Sequence, residues 1–354
     1  MIEGYLEEYI DKLYYNQNIG LCDEQKNLFS KEDYYRLLRP VVNSLINHKD
    51  YDITELRNLL YEQSGLEEGI RDLITNKGLA PGLLISYGTM NFKETIMIGN
   101  RQELRINQDG SIIESEKKIE MDTIFDIASI TKLFTSLSIL KLVELGCIKL
   151  EDEATYYLPQ LKNLKGVTIK NLLSFTVPLS TTKRIENANS IEEAEEILFN
   201  IKINENFDGK RPYSDMGPMI LKYVIEKITG IALYDFIDLM FLNKLKMKNT
   251  YVAVPYSKAL RVACTNLGYI YDAESNSTIN TVKNGIVYDK KAQVFGQEKG
   301  NLSGHAGLFS TCLDMTNLAK EIIRGNVVNA ESIEKMTRNN TGRLWKINEK
   351  GNKE

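Results

Sequence analysis

The chain has 354 residues, 43% of them apolar and 26% charged, with 44 basic against 48 acidic side chains and a formal net charge of −4. That size and composition fit a globular protein with a sizeable core, and the even spread of charge offers no footprint for nucleic acid or a membrane surface. Two histidines and four scattered cysteines (Cys22, Cys147, Cys264 and Cys312) supply neither a tightly spaced zinc set nor a disulfide frame, so no metal or cofactor is expected.

The opening stretch, MIEGYLEEYIDKLYYNQNIG, carries acids where a signal peptide needs a basic region, and no apolar region follows. No uncharged apolar run reaches the roughly 18 residues of a membrane span. With cysteines that suit a reducing compartment, the expectation is a cytoplasmic protein. Residues 1–65 read as helices joined by polar turns: Tyr5, Tyr9, Ile10 and Leu13 recur at helical spacing, as do Tyr35, Leu38, Val42 and Leu45. This helical N-terminal extension is a candidate contact surface for a protein partner or for the same chain, although helical aromatics more often pack a core.

The pattern changes near residue 66, where a second domain, 66–354, is taken to begin. Leu66 to Asn76 reads as a short amphipathic helix ended by Gly78-Leu79-Ala80-Pro81-Gly82. Leu83 to Tyr87 and Thr95 to Ile98 read as strands, and Asn107-Gln108-Asp109-Gly110 as a turn. From Ser129 to Leu145 a strong helix is expected, with Leu133, Phe134, Leu137, Leu140 and Val143 as its apolar stripe and Gly146 as its stop. Residues 150 to about 260 stay mainly helical, strands and loops follow Gly268, and a last helix runs from Leu313 to Arg324 before a charged tail. A helix leading into a meander, with a helical region after it, gives an α+β domain.

The candidate nucleophile lies in Ser129-Ile130-Thr131-Lys132. On a helix, positions i and i+3 share a face, so hydroxyl and amine can meet. A neutral lysine can take the serine proton, and the helix N-terminus puts backbone N–H groups near a developing oxyanion. Spacing alone is a weak signal, because Ser115, Ser138, Ser180 and Ser332 also have lysine three residues on. Ser138 falls mid-helix, Ser115 and Ser332 fall in charged stretches expected to be exposed, and Ser180 falls in a Thr-rich loop. Ser129 alone joins an apolar approach to the first turn of a long helix.

The segment Phe125-Asp126-Ile127-Ala128-Ser129-Ile130-Thr131-Lys132-Leu133-Phe134-Thr135 resembles the nucleophile segment of class C β-lactamase-like serine hydrolases, a group that takes in penicillin-binding proteins, D-aminopeptidases and related esterases. Leu145-Gly146 with Ile148-Lys149-Leu150-Glu151-Asp152, then Tyr157-Leu158-Pro159, is similar to the turn that follows in that family. Val167 to Thr176 resembles its next stretch, with Ser174-Phe175 in place of Thr-His. Pro212-Tyr213-Ser214-Asp215-Met216-Gly217 resembles the family's Tyr motif ahead of a helix ending at Ile228-Thr229-Gly230. Ser303-Gly304-His305-Ala306-Gly307-Leu308-Phe309-Ser310-Thr311 is similar to a further family segment.

By this resemblance Ser129, Lys132 and Tyr213 are the catalytic residues, with Tyr213 as general base or as proton donor to the leaving group. Asp215 and His305 are expected to face substrate. Read alone, Asp215 is a helix cap and His305 shapes a glycine-bounded turn. Arg343 to Asn348 resembles the start of the strand before the family's Lys/His-Thr-Gly motif, and no such motif follows in the sequence, so the resemblance implies a domain without its final strands.

The expected fold is an antiparallel sheet flanked by helices plus an all-helical region. The expected activity is hydrolysis through a Ser129 acyl-enzyme of small esters, amides or D-amino-acid peptides, with β-lactams among the candidates. The open alternative is a truncated, catalytically impaired relative that binds a ligand or a protein.

Overall fold

The computed structural model describes residues 71–337 except 77, 79, 89–92, 107–110, 208–211, 266–267, 273–276 and 282–284. The expected 1–65 extension, the turn at 107–110 and the strand start at 343–348 lie outside those residues. The described residues fall into two compact units: those up to 103 with 114–120, and 104–113 with 121–337.

The first unit holds β1 (Gly82–Gly88) and most of β2 (Lys93–Ile106) and β3 (Ile112–Lys118), which form a three-stranded sheet in that order. β1 and β2 run antiparallel with Leu83 opposite Ile98 and Ile85 opposite Ile96. The two-residue period of a strand gathers these side chains on one face, where Ile96 and Ile98 are buried with Ile74. Of the helix expected over 66–76, the described part is a π-helical turn, Asp72–Asn76.

The second unit is mainly helical. In chain order it runs β4 (Ile124–Asp126), α1 (Thr131–Glu144), α2 (Ala154–Tyr157), α3 (Ile169–Leu173), β5 (Leu179–Ser180), α4 (Ile191–Phe199), β6 (Lys202–Ile203), α5 (Met216–Thr229), α6 (Leu233–Ile237), β7 (Gly268–Asp272), β8 (Ser277–Thr281), α7 (Lys290–Val294), β9 (Phe309–Thr311), α8 (Cys312–Ile323) and α9 (Ala330–Thr337). Its strands make the antiparallel pairs β4–β9, β5–β6 and β7–β8. The α+β class holds, with small sheets among the described residues where one sheet was expected.

The core gathers around α1, against which α5 and α6 pack. The expected one-sided stripe is wrong in detail. Leu133 and Val143 are only partly covered, whereas Phe134, Leu137, Ile139, Leu140 and Leu142 are buried together with Thr131, Lys132, Thr135 and Ser138. Burial extends well beyond the stripe and takes in polar side chains, so the apolar pattern alone does not mark the covered faces. Each enclosed Leu, Ile or Phe contributes about 1.5–3 kcal/mol relative to exposure. The buried hydroxyl of Ser138 donates to the Phe134 carbonyl at 2.8 Å, which satisfies it within the helix. Gly146, at φ 71°, ends the segment as expected.

Two short helices were missed. α7 opens on Asp289, whose carboxylate accepts the Ala292 N–H at 2.9 Å. α9 lies in the expected charged tail, and Ser332, expected to be exposed, is buried there. Asn329 N donates to Glu144 at the end of α1, so the start of α9 is tied to α1. Among the described residues no helix is long and apolar enough to cross a membrane.

Candidate active site

β4 delivers the chain to the site and Asp126 turns it. The Asp126 carboxylate accepts the Ala128 N–H and the Tyr288 N–H, both at 2.8 Å. Burial pushes its carboxyl above the ordinary range against the pull of those two bonds. Ala128 sits in the left-handed region at φ 44° and opens a 3₁₀ turn, Ala128–Ile130, which hands over to α1 at Thr131. Ser129 therefore stands on an exposed turn ahead of the α-helix, and Lys132, one turn further in, is only 7% exposed.

The lysine ammonium has three N–H donors and three acceptors meet them. Nζ donates to Ser129 Oγ at 2.9 Å and to the His305 carbonyl at 3.1 Å, and it pairs with Asp215 Oδ1 at 2.9 Å. From the other side Tyr213 brings its hydroxyl to 3.0 Å from Ser129 Oγ, with its ring centroid 5.0 Å from Lys132 Nζ. Two proton-handling groups thus converge on one hydroxyl oxygen. Phe175, just past α3, stacks on the Tyr213 ring with centroids 5.0 Å apart and planes at 27°.

Asp215 occupies the N-terminal boundary of α5 but caps nothing with its side chain. Ser214 Oγ accepts the Met216 N–H instead, at 3.2 Å. The Asp215 carboxylate looks into the site, with Oδ1 on Lys132 and Oδ2 on Lys291 of α7 at 3.3 Å. Burial works to raise its carboxyl, but His305, Lys132 and Lys291 outweigh that and hold it below the ordinary range.

The segment from Ser303 to Leu308 lies along the first turns of α1 and is stitched to it. Thr135 Oγ1 donates to the Gly304 carbonyl at 2.7 Å, Lys132 to that of His305, and Leu308 N to Thr131 Oγ1 at 3.2 Å. The His305 ring, expected to meet substrate, is 1% exposed and held at both nitrogens: Nε2 lies 2.9 Å from Asp289 and Nδ1 3.0 Å from Ser303 Oγ. What His305 offers the site is its carbonyl. Burial works to raise Asp289, but the bond to His305 and its charge, with help from Ala292 N and Lys291, keep its carboxyl well below the usual range.

Ser129, Lys132, Tyr213 and Asp215 are therefore brought together, with His305 enclosed behind them. Sequence reasoning missed Asp126, Phe175, Asp289, Lys291 and the two threonines of α1. Asp289 carried a helix-cap signal ahead of Ala292, but nothing local marked Lys291. Ligand atoms of Asp215, Asp289 and His305 lie within 4.8 Å of one another, which is close enough for a metal ion. These donors already hold each other and two ammonium groups, so a cation would have to displace both lysines from Asp215.

A family model described as Beta-lactamase matches residues 97–351. A curated protein from Salmonella heidelberg (strain SL476), bearing the name Putative D-alanyl-D-alanine carboxypeptidase, is 30% identical over 242 residues, covering 61% of this chain and 55% of that protein. The chain thus spans about half the length of the curated relatives it matches. A class C beta lactamase from Rhodobacter sphaeroides superposes with a TM-score of 0.54 at 16% identity, over 76% of this chain and 68% of the other. The D-amino acid amidase from Ochrobactrum anthropi SV3 superposes with a TM-score of 0.54 at 20% identity, over 76% of this chain and 72% of the other.

Proposed function

Because the chain belongs to the beta-lactamase family, we propose that it is a serine hydrolase that works through an acyl-enzyme on Ser129. The observation that carries this reading is the convergence of Lys132 Nζ and the Tyr213 hydroxyl on Ser129 Oγ, at 2.9 and 3.0 Å. Ser129 Oγ attacks the substrate carbonyl carbon as its proton passes to the neutral amine of Lys132. The carbonyl oxygen becomes an oxyanion, for which the Ser129 backbone N–H in the 3₁₀ turn is the proposed donor.

Tyr213 then gives its proton to the leaving amine or alcohol as the tetrahedral intermediate collapses, and regains one from Lys132. In the second half-reaction water attacks the Ser129 ester and gives a proton to the neutral amine of Lys132, which passes it to Ser129 Oγ as the ester bond breaks and the acid leaves, so each cycle ends with the groups as they began. General acid–base transfer of this kind contributes about 10²–10⁴-fold. The substrates proposed are small esters, amides and D-amino-acid peptides, with β-lactams as probes of the same chemistry. The relatives named for D-alanyl-D-alanine carboxypeptidase and D-amino acid amidase support amide bonds next to a D-residue as the first to try.

The test is labelling of the full chain with a fluorophosphonate and with a fluorescent penicillin. Covalent label that is present in the native sequence and absent in Ser129→Ala supports the proposal. A folded protein that takes no label from either reagent would overturn it and leave the binding role.

A further inference from the structure

The reaction above gives no role to Asp215 or to Lys291, the second lysine that contacts it. We propose that Lys291 is a positioning residue of the Ser129 site, whose ammonium serves as the second counter-ion of Asp215 and so frees Lys132 to part with a proton. The inference rests on the acyl-enzyme reading above.

The geometry carries it. Asp215 has one carboxylate oxygen on each lysine, Oδ1 on Lys132 at 2.9 Å and Oδ2 on Lys291 at 3.3 Å. Lys132 is buried, and its other neighbours are Ser129 Oγ, the His305 carbonyl and the Tyr213 ring. Behind them the His305 ring engages Asp289 and also lends its charge to Asp215 without touching it, and Asp126 is engaged by two backbone N–H groups. Were Lys132 the only ammonium in contact with Asp215, it would be locked in its charged form, since deprotonation would leave a half-buried carboxylate without a bonded cation. Lys291 removes that obstacle, because the carboxylate keeps one cation when Lys132 becomes neutral. Lys291 lies on α7, whose N-terminus is fixed by the Asp289 cap, so its approach to Asp215 is set by the fold.

The experiment is the rate of Ser129 labelling by a fluorophosphonate from pH 5 to 10, for the native chain, Lys291→Met, Lys291→Arg, Asp215→Asn and the double variant Lys291→Met/Asp215→Asn. Loss of a compensating charge at this range moves a titration by about one unit. In Lys291→Met the acid limb therefore moves up by about one pH unit, with labelling at pH 7 about tenfold slower and the alkaline plateau kept. Lys291→Arg restores the native profile, and in the Asp215→Asn background Lys291→Met causes no further shift. An unchanged limb in Lys291→Met, or an equal slowing at every pH that Arg does not rescue, overturns the role of Lys291 while the acyl-enzyme stands. Absence of label in the native chain overturns both.

Discussion

Phe175 and Tyr213 stack at 5.0 Å, and Phe175 does so from a backbone at φ 52°, a region that a bulky side chain adopts at a cost. The ring contact and the strained backbone oppose each other, and the fold keeps both next to the proposed nucleophile. Phe175→Gly relieves the backbone and loses the ring, whereas Phe175→Ala loses the ring and keeps the strain. We expect Phe175→Gly to be about 1 kcal/mol more stable than Phe175→Ala in urea unfolding, and both variants to label Ser129 more slowly than the native chain. Equal stabilities for the two would show that the left-handed backbone costs nothing here.

Tyr213→Phe keeps the stack on Phe175 and deletes only the hydroxyl 3.0 Å from Ser129. Labelling by fluorophosphonate should fall by about 10²-fold or more if the phenol handles a proton. A rate within threefold of native, roughly 0.6 kcal/mol, would remove Tyr213 from the chemistry.

Asp289 accepts from Ala292 N and bonds the buried His305 ring, and its carboxyl lies below the ordinary range in the folded chain. A group with a depressed folded value stabilises the fold above its unfolded value near 3.9 and loses that contribution as pH falls through the folded one. Asp289→Ala should therefore cost about 1–3 kcal/mol at pH 7, with the gap to native narrowing below about pH 4. Chemical denaturation at pH 7 and pH 3 measures it, and a gap that widens in acid would contradict the assignment.

Gly304 stands at φ 87°, and a Cβ there would lie 2.6 Å from the Pro218 carbonyl oxygen and 3.1 Å from Lys222 Cβ, both on α5. Since backbone cannot yield as a flexible side chain does, Gly304→Ala must push the Ser303–Leu308 segment off α5 as well as strain its own backbone. The expected outcome is a loss exceeding the roughly 1–2 kcal/mol of the left-handed conformation alone, read as a drop in Tm, together with slower Ser129 labelling.

Much of this site was legible because its chemistry is local. Ser129 and Lys132 sit three residues apart at a helix start, and Tyr213-Ser214-Asp215 forms one short motif ahead of α5. Lys291, and the bond from Asp289 to His305, were not legible, since each joins partners distant in sequence and starts in a stretch whose Asn, Gly and Tyr content reads as loop. The cap role given to Asp215 went to Ser214, because two ammonium groups outbid one backbone N–H for the carboxylate. The face of α1 was misread for a related reason. Thr131, Lys132 and Thr135 look like a solvent side, yet they are the polar groups that the Ser303–Leu308 backbone uses as partners.

Ala128, at φ 44° immediately before Ser129, means that the turn presenting the nucleophile is held in a conformation the isolated chain would avoid. Asp126 holds it by accepting the Ala128 N–H, and the Ala128 carbonyl accepts the Thr131 N–H. Stability and reactivity are thereby set against each other at one residue. Replacing Ala128 with glycine, which is at ease there, is the kind of change that a selection for heat resistance would favour and a selection for turnover would reject.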